Sequence, residues 1–197
     1  MSKEANNFRV FWALLSVMLL VSLPTLAAQY ARPNGDRNNT VYWFDTPGQS
    51  VTHYTSIDEE TPDGVAELVE DDTATLYWGT LSAVTDPEND GSGHTFRCAV
   101  YRSSNKANTF TMYLYQGTST LIKQSTPVEV QNGTPAAYTY GTMALDAADA
   151  NNITNYSDLY FALAVDATSP TDIFIDQCEF EVPDAPSSGR RRPMIIN

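Results

Sequence analysis

The sequence predicts an all-β fold: a single antiparallel β-sandwich, of jelly-roll or immunoglobulin-like topology, behind an amino-terminal export helix. Three observations carry that reading. Beyond about residue 57, apolar and polar side chains alternate with a period of two, the pattern of strands with one buried face. Turn-forming clusters separate these runs, at residues 86–91 (DPENDG), 103–105 (SSN), 116–117 (QG), 132–133 (NG) and 169–170 (SP). No window carries an apolar stripe at helical spacing. Residues 145–156 hold at most a turn or two of helix, because Asp146, Asp149 and Asn152 are poor helix-interior residues.

The elements follow in chain order. Residues 1–9 are positively charged, residues 11–23 (FWALLSVMLLVSL) form an uninterrupted apolar run, and residues 24–28 (PTLAA) supply a break and small residues. That order is a signal peptide spanning residues 1–27, cleaved after Ala27; the alternative is an uncleaved membrane anchor. In either form the domain lies outside the cytoplasm. Residues 30–57 are polar, with one short strand at 41–44 (VYWF). Strands are then expected at 75–84, 94–102, 109–116, 119–123, 136–145, 159–165 and 172–182. The sandwich domain covers 28–183, and 184–197 reads as a flexible basic tail ending in Arg190, Arg191 and Arg192.

Alternation also assigns faces. Phe96, Cys98 and Val100 oppose Arg97, Ala99 and Tyr101, while Phe110, Met112 and Leu114 oppose Thr111, Tyr113 and Tyr115. Leu159, Phe161, Leu163 and Val165 oppose Tyr160, Ala162 and Ala164. In the last strand Phe174, Cys178, Phe180 and Val182 are expected on one side, against Ile175, Gln177, Glu179 and Glu181. The aliphatic sets make the core. Cys98 and Cys178 both fall on core faces and are a disulfide candidate in an exported protein; two buried thiols are the other reading.

Charge restricts the partners. The net charge is −13; loss of residues 1–27 removes Lys3, Glu4 and Arg9 and takes it to −14, and the body without the arginine run stands at −17. Phosphate repulsion excludes nucleic acid as a partner of that body. Membrane contact is expected only if the amino-terminal helix is retained.

Few residues point to chemistry. His53 lies near Asp58, Glu59 and Glu60, the residue types of a general base, a metal site or a paired-carboxylate hydrolase. A lone loop histidine is more often structural, and most carboxylates of so acidic a chain are solvated. The sequence lacks a Gly-x-Ser-x-Gly elbow, and no catalytic residue is expected. Asp86, Glu88 and Asp90 followed by Gly91 match the first half of a calcium loop, but Arg97 stands at the twelfth position and excludes an EF-hand. Calcium would need distant ligands to complete the site, and a plain acidic turn is the simpler reading; no other cofactor is expected. Asn38, Asn132, Asn152 and Asn155 begin glycosylation sequons.

Tyr101, Tyr113, Tyr115 and Tyr160, separated by small alanines, are the candidate ligand-binding platform. Sugar rings stack on such surfaces through their apolar C–H faces. Burial of these tyrosines under loops is the first expectation, a subunit interface the second and a sugar platform the third.

Several segments resemble uncharacterised proteins from phage-derived and environmental (metagenomic) sequences. They are residues 32–36 (RPNGD), 57–60 (IDEE) with 62–64 (PDG), 153–160 (ITNYSDLY) and 178–183 (CEFEVP). The resemblance extends over about residues 31–183. It implies a jelly-roll-like sandwich, similar in outline to carbohydrate-binding modules and virion surface domains, and brings no activity or catalytic residues. The export signal is a departure from virion proteins and favours a secreted or cell-surface role. Together these readings predict a non-catalytic extracellular structural or adhesive protein that self-associates or contacts a surface glycan. A glycan-binding module is the alternative, and a secreted glycoside hydrolase the least favoured.

Overall fold

The computed structural model describes residues 28–37, 43–46, 52–64, 67–70, 76–88, 91–103, 108–133, 138–167 and 173–184. The expected export helix, Asn38, Asp90 and the arginine run lie outside the described residues.

Two antiparallel sheets face each other. The first has the order β10 (Thr139–Ala144), β6 (Thr95–Arg102), β12 (Ile173–Pro183), β4 (Glu67–Glu70) and β3 (Trp43–Thr46), with β1 (Ala28–Ala31) also paired to β12. The second runs β2 (Pro33–Asp36), β5 (Tyr77–Leu81), β11 (Leu159–Ala167), β7 (Asn108–Gln116) and β8 (Thr120–Gln124), with β9 (Val128–Glu129) paired to β7. A 3-10 turn, η1 (His53–Ser56), and one short helix, α1 (Ala147–Asn151), complete the described elements. Asp146 caps α1, its carboxylate accepting from the backbone N–H groups of Ala148 and Asp149.

The alternation seen in the sequence builds the core. Phe96, Cys98 and Val100 of the first sheet meet Phe110, Met112, Leu114, Phe161 and Leu163 of the second, all buried. Each such Phe, Val, Leu or Met side chain contributes roughly 1.5–3 kcal/mol of transfer free energy. The Phe96 and Phe161 rings lie 5.6 Å apart. Phe161 crosses directly over Gly79, where a Cβ would come within 2.5 Å of the ring. That close approach requires a residue without a side chain.

Cys98 and Cys178 sit opposite each other on β6 and β12 and are joined by a disulfide, their Cα atoms 4.2 Å apart. Just before Cys178, β12 departs from strict alternation. A bulge between Ile175 and Gln177 leaves Asp176 as an extra residue, so Ile175 pairs with Val100 and Gln177 with Ala99. Ile173 and Ile175 therefore face the core with Cys178, Phe180 and Val182, whereas Phe174 faces outward. The faces expected for Phe174 and Ile175 are exchanged, because an inserted residue inverts the register of everything before it.

The bulge also marks a gap in the sheet. On one edge of β12, β4 covers Ile173 to Ile175 and β1 covers Phe180 to Pro183. Residues 57–64 fill the space between them. The Cys178 N–H donates to the Ile57 carbonyl at 2.8 Å, and the Gln177 amide donates to the carbonyls of Glu59 and Glu60. The Asp176 carboxylate accepts from the Gly64 N–H. The strand's edge is thus satisfied by a loop rather than by another strand.

Candidate functional site

The outer face of the second sheet carries Trp78 and Thr80 on β5, Tyr160 and Ala162 on β11, and Tyr113 and Tyr115 on β7. Register places Ala162 between Trp78 and Tyr113, and Tyr160 between Thr80 and Tyr115. Trp78 and Tyr115 stand two strands apart, yet their ring centroids are 4.7 Å apart. They can meet only by leaning over the intervening alanine. Ala162 is consequently 0% exposed although it points away from the core. Tyr113 and Tyr115 stack at 6.4 Å, and all four rings are half-buried.

Arg37 closes one end. Its guanidinium lies 4.9 Å from the Trp78 ring centroid and 5.4 Å from that of Tyr160. Two of its nitrogens donate to the Thr118 carbonyl, and the side chain remains exposed. At the opposite edge Leu121 of β8 pairs with Tyr115 and is 48% exposed. Burial and the neighbouring Tyr113 raise the Tyr115 pKa, so the ring stays neutral at physiological pH. Chemically the face is a row of uncharged rings with hydroxyl groups, ended by a planar cation and a Thr80–Asn34 hydrogen bond.

Three of the four expected platform tyrosines, Tyr113, Tyr115 and Tyr160, are brought together here. Tyr101 is not among them. It lies on the outer face of the first sheet, 5% exposed, stacked 4.7 Å from Phe174 and donating to Glu67 at 3.0 Å. Burial, then the Glu67 hydrogen bond and charge, hold its hydroxyl protonated. Alternation fixes a residue's face within its own strand but not which sheet that strand joins. Trp78 was missed for a related reason: its strand was expected, but its neighbour across β11 was not visible locally. The signal available was an aromatic ring on the polar side of the alternating run 77–81.

The other candidates fall elsewhere. His53 is buried in η1, packed edge-on to Tyr77, and its backbone N–H donates to Asp36. Asp36 also accepts from the Tyr54 N–H and the Tyr77 hydroxyl, so it ties η1 to β2 and β5. Asp86 and Glu88 are exposed, and the Asp86 carboxylate accepts from the Glu88 N–H as a local turn. Among the described residues, the carboxylates that converge are Glu59, Asp63 and Asp176, whose oxygens lie within 4.8 Å of one another. Burial, then repulsion from Asp176, Asp63 and Asp58, pushes Glu59 up to about 7. A trio of this type takes up a proton or a hard cation. Asn132, Asn152 and Asn155 are exposed.

No protein-family model matches the chain, and no curated protein matches it. Several solved structures resemble it in outline. A family 30 carbohydrate-binding module aligns at 10% identity over 85% of this chain and 93% of its own, with a TM-score of 0.44. The xylan-binding module CBM15 aligns at 11% identity over 81% and 99%, with a TM-score of 0.40. The CBM22-1–GH10 modules of Clostridium thermocellum xylanase 10B, complexed with xylohexaose, align at 12% identity and a TM-score of 0.44. The match covers 78% of this chain and 28% of that xylanase chain. A likeness this distant carries no argument about a ligand, which must come from the face itself.

Proposed function

We propose that this domain is a non-catalytic glycan-binding module whose contact surface is the aromatic outer face of the second sheet. The observation that carries it is the continuous row Arg37, Trp78, Tyr160, Tyr115 and Tyr113, held in place by stacking over Ala162. Rings fixed by one another lose little side-chain freedom on binding, and they offer apolar faces to sugar C–H groups with hydroxyls at the rim. The site needs no proton transfer, metal or nucleophile to do this. The charged amino end and apolar run of residues 1–27 support an exported location, where polysaccharides are encountered.

A glycan array probed with the full chain and with Trp78→Ala and Tyr115→Ala tests the reading. Retention by the unaltered protein and a loss of roughly five- to thirtyfold in each variant is expected, from about 1–2 kcal/mol of lost ring contact. No retention on any glycan would end the proposal. A second reading, a self-associating structural or adhesive subunit, is favoured by Leu121, which extends the same face with an exposed aliphatic side chain. Light scattering at high protein concentration separates the two: a monomer is expected of a glycan module and a dimer or larger assembly of an adhesive subunit.

A further inference from the structure

The opposite side of the sandwich holds a second cleft, of about 280 Å³, on the outer face of the first sheet. Its floor is β12, which contributes Gln177 and Glu179; one wall is residues 60–62 and the other is Tyr140 on β10. Arg97 closes the end. We propose that this cleft is an independent binding site for one neutral pyranose unit, stacked on Tyr140 and hydrogen-bonded by Arg97, Gln177 and Glu179.

Three observations bear on it. Tyr140 is 54% exposed, opposite the fully buried Ala99, so a large ring stands beside a small residue with one side free to solvent. Glu179 is buried, yet its two oxygens are separately engaged, one by Arg97 and the other by Arg32 at 3.3 Å. Carboxylate and guanidinium are therefore locked side by side, an acceptor next to a donor. Vicinal sugar hydroxyls, each able to donate and accept, match that arrangement. Gln177 spends its N–H donors on the carbonyls of Glu59 and Glu60, which leaves its side-chain carbonyl to accept from a ligand.

The wall is equally fixed. Residues 57–64 are tied to the bulged strand through Cys178, Gln177 and Asp176, so the cleft exists before a ligand arrives. Its volume is at the small end for ligand sites, enough for one ring rather than a chain. Glu60 and Glu179 line it on a protein of net charge −13, which disfavours an acidic sugar and selects a neutral one. This site shares no residue with the aromatic face and does not depend on that reading. If both bind, one domain grips two glycan strands from opposite sides and gains avidity on a dense polysaccharide.

Amide chemical-shift titration of the full chain with methyl β-glucoside, methyl β-xyloside and glucuronate is the test. Shifts at Thr61, Ala99 and Gln177 with a neutral glycoside are expected. They persist in the Tyr113→Ala/Tyr115→Ala variant and weaken roughly tenfold in Tyr140→Ala, a change equivalent to about 1.4 kcal/mol. Tyr140 is largely exposed, so its replacement leaves the fold intact, and an otherwise unchanged spectrum verifies that. Absence of shifts at these amides, or shifts undiminished by Tyr140→Ala, would overturn the site. Loss in the Tyr113→Ala/Tyr115→Ala variant would overturn its independence, and equal binding of glucuronate its selectivity. None of these results depends on whether the aromatic face retains a polysaccharide.

Discussion

On the second sheet the outward row is rings resting on a small residue; at the cleft of the first sheet it is charges resting on one another. Trp78 and Tyr115 close over Ala162, their ring centroids 4.7 Å apart. Across the molecule Arg97 and Arg32 share the buried Glu179 carboxylate, with the Tyr30 ring 5.8 Å from the Arg97 guanidinium and 5.6 Å from that of Arg32. Both surfaces are outward sets of alternating strands, so alternation does not account for the difference. The β12 bulge helps to create it by admitting residues 57–64 and turning Phe174 and Asp176 outward. The cleft forms where the edge of β12 is filled by residues 57–64 rather than by a strand.

The largest expected effect tests whether the two surfaces depend on a common support. The Cys98→Ala/Cys178→Ala variant removes the link between β6 and β12 beneath the cleft. Denaturant unfolding should show a loss of about 2–4 kcal/mol. The Trp78 indole N–H resonance should stay unchanged in the folded variant, because β5 pairs with β2 and β11 rather than with either cysteine strand. A Trp78 signal altered in native conditions would mean that the two faces are coupled.

A smaller effect sharpens the account of the aromatic row. Ala162→Leu should cost roughly 1–3 kcal/mol by forcing Trp78 and Tyr115 apart, and it should abolish glycan retention. Ala164→Leu, two residues along the same face at a half-buried position opposite Thr111, should cost less and leave retention largely intact. Equal costs for the two would contradict the view that Ala162 is a spacer beneath the rings.

The smallest effect lies beside the cleft. Because Glu59 is raised from 4.5 to about 7 on folding, the native state binds its proton more tightly than the unfolded chain does. Stability should therefore fall as pH rises through the window from about 4.5 to about 7. Glu59→Gln should flatten that decline, a gain of less than about 1 kcal/mol at neutral pH once solvent screening is allowed for. Thermal melts across the window read it directly; a slope unchanged by the substitution would assign the decline to other groups.

Much of this was legible in the chain. Runs such as 96–100 and 159–165 alternate cleanly, and they formed β6 and β11 with the expected faces. The pairs β1 and β2 were not legible. Pro33, Asn34 and Gly35 carry no strand propensity, and their pairing with β5 comes from tertiary contacts. The cleft was invisible for the same kind of reason. Its parts come from three strands and a loop, and the bulge that aligns them leaves no mark in Ile175, Asp176 and Gln177 as a sequence. Spacing reports neighbours along a strand; a binding surface is made of neighbours across strands.

The place of β12 has a consequence for synthesis. Among the described strands it comes last in chain order, yet it is partner to β1, β4 and β6, which are made far earlier. While a ribosome is still extending the chain, β4 can pair with β3 and β6 with β10, but the edges that β12 joins stay open beside apolar side chains such as Leu68 and Phe96. The nascent polypeptide therefore carries an unfinished layer until β12 emerges, and a holding chaperone has most to do during that interval.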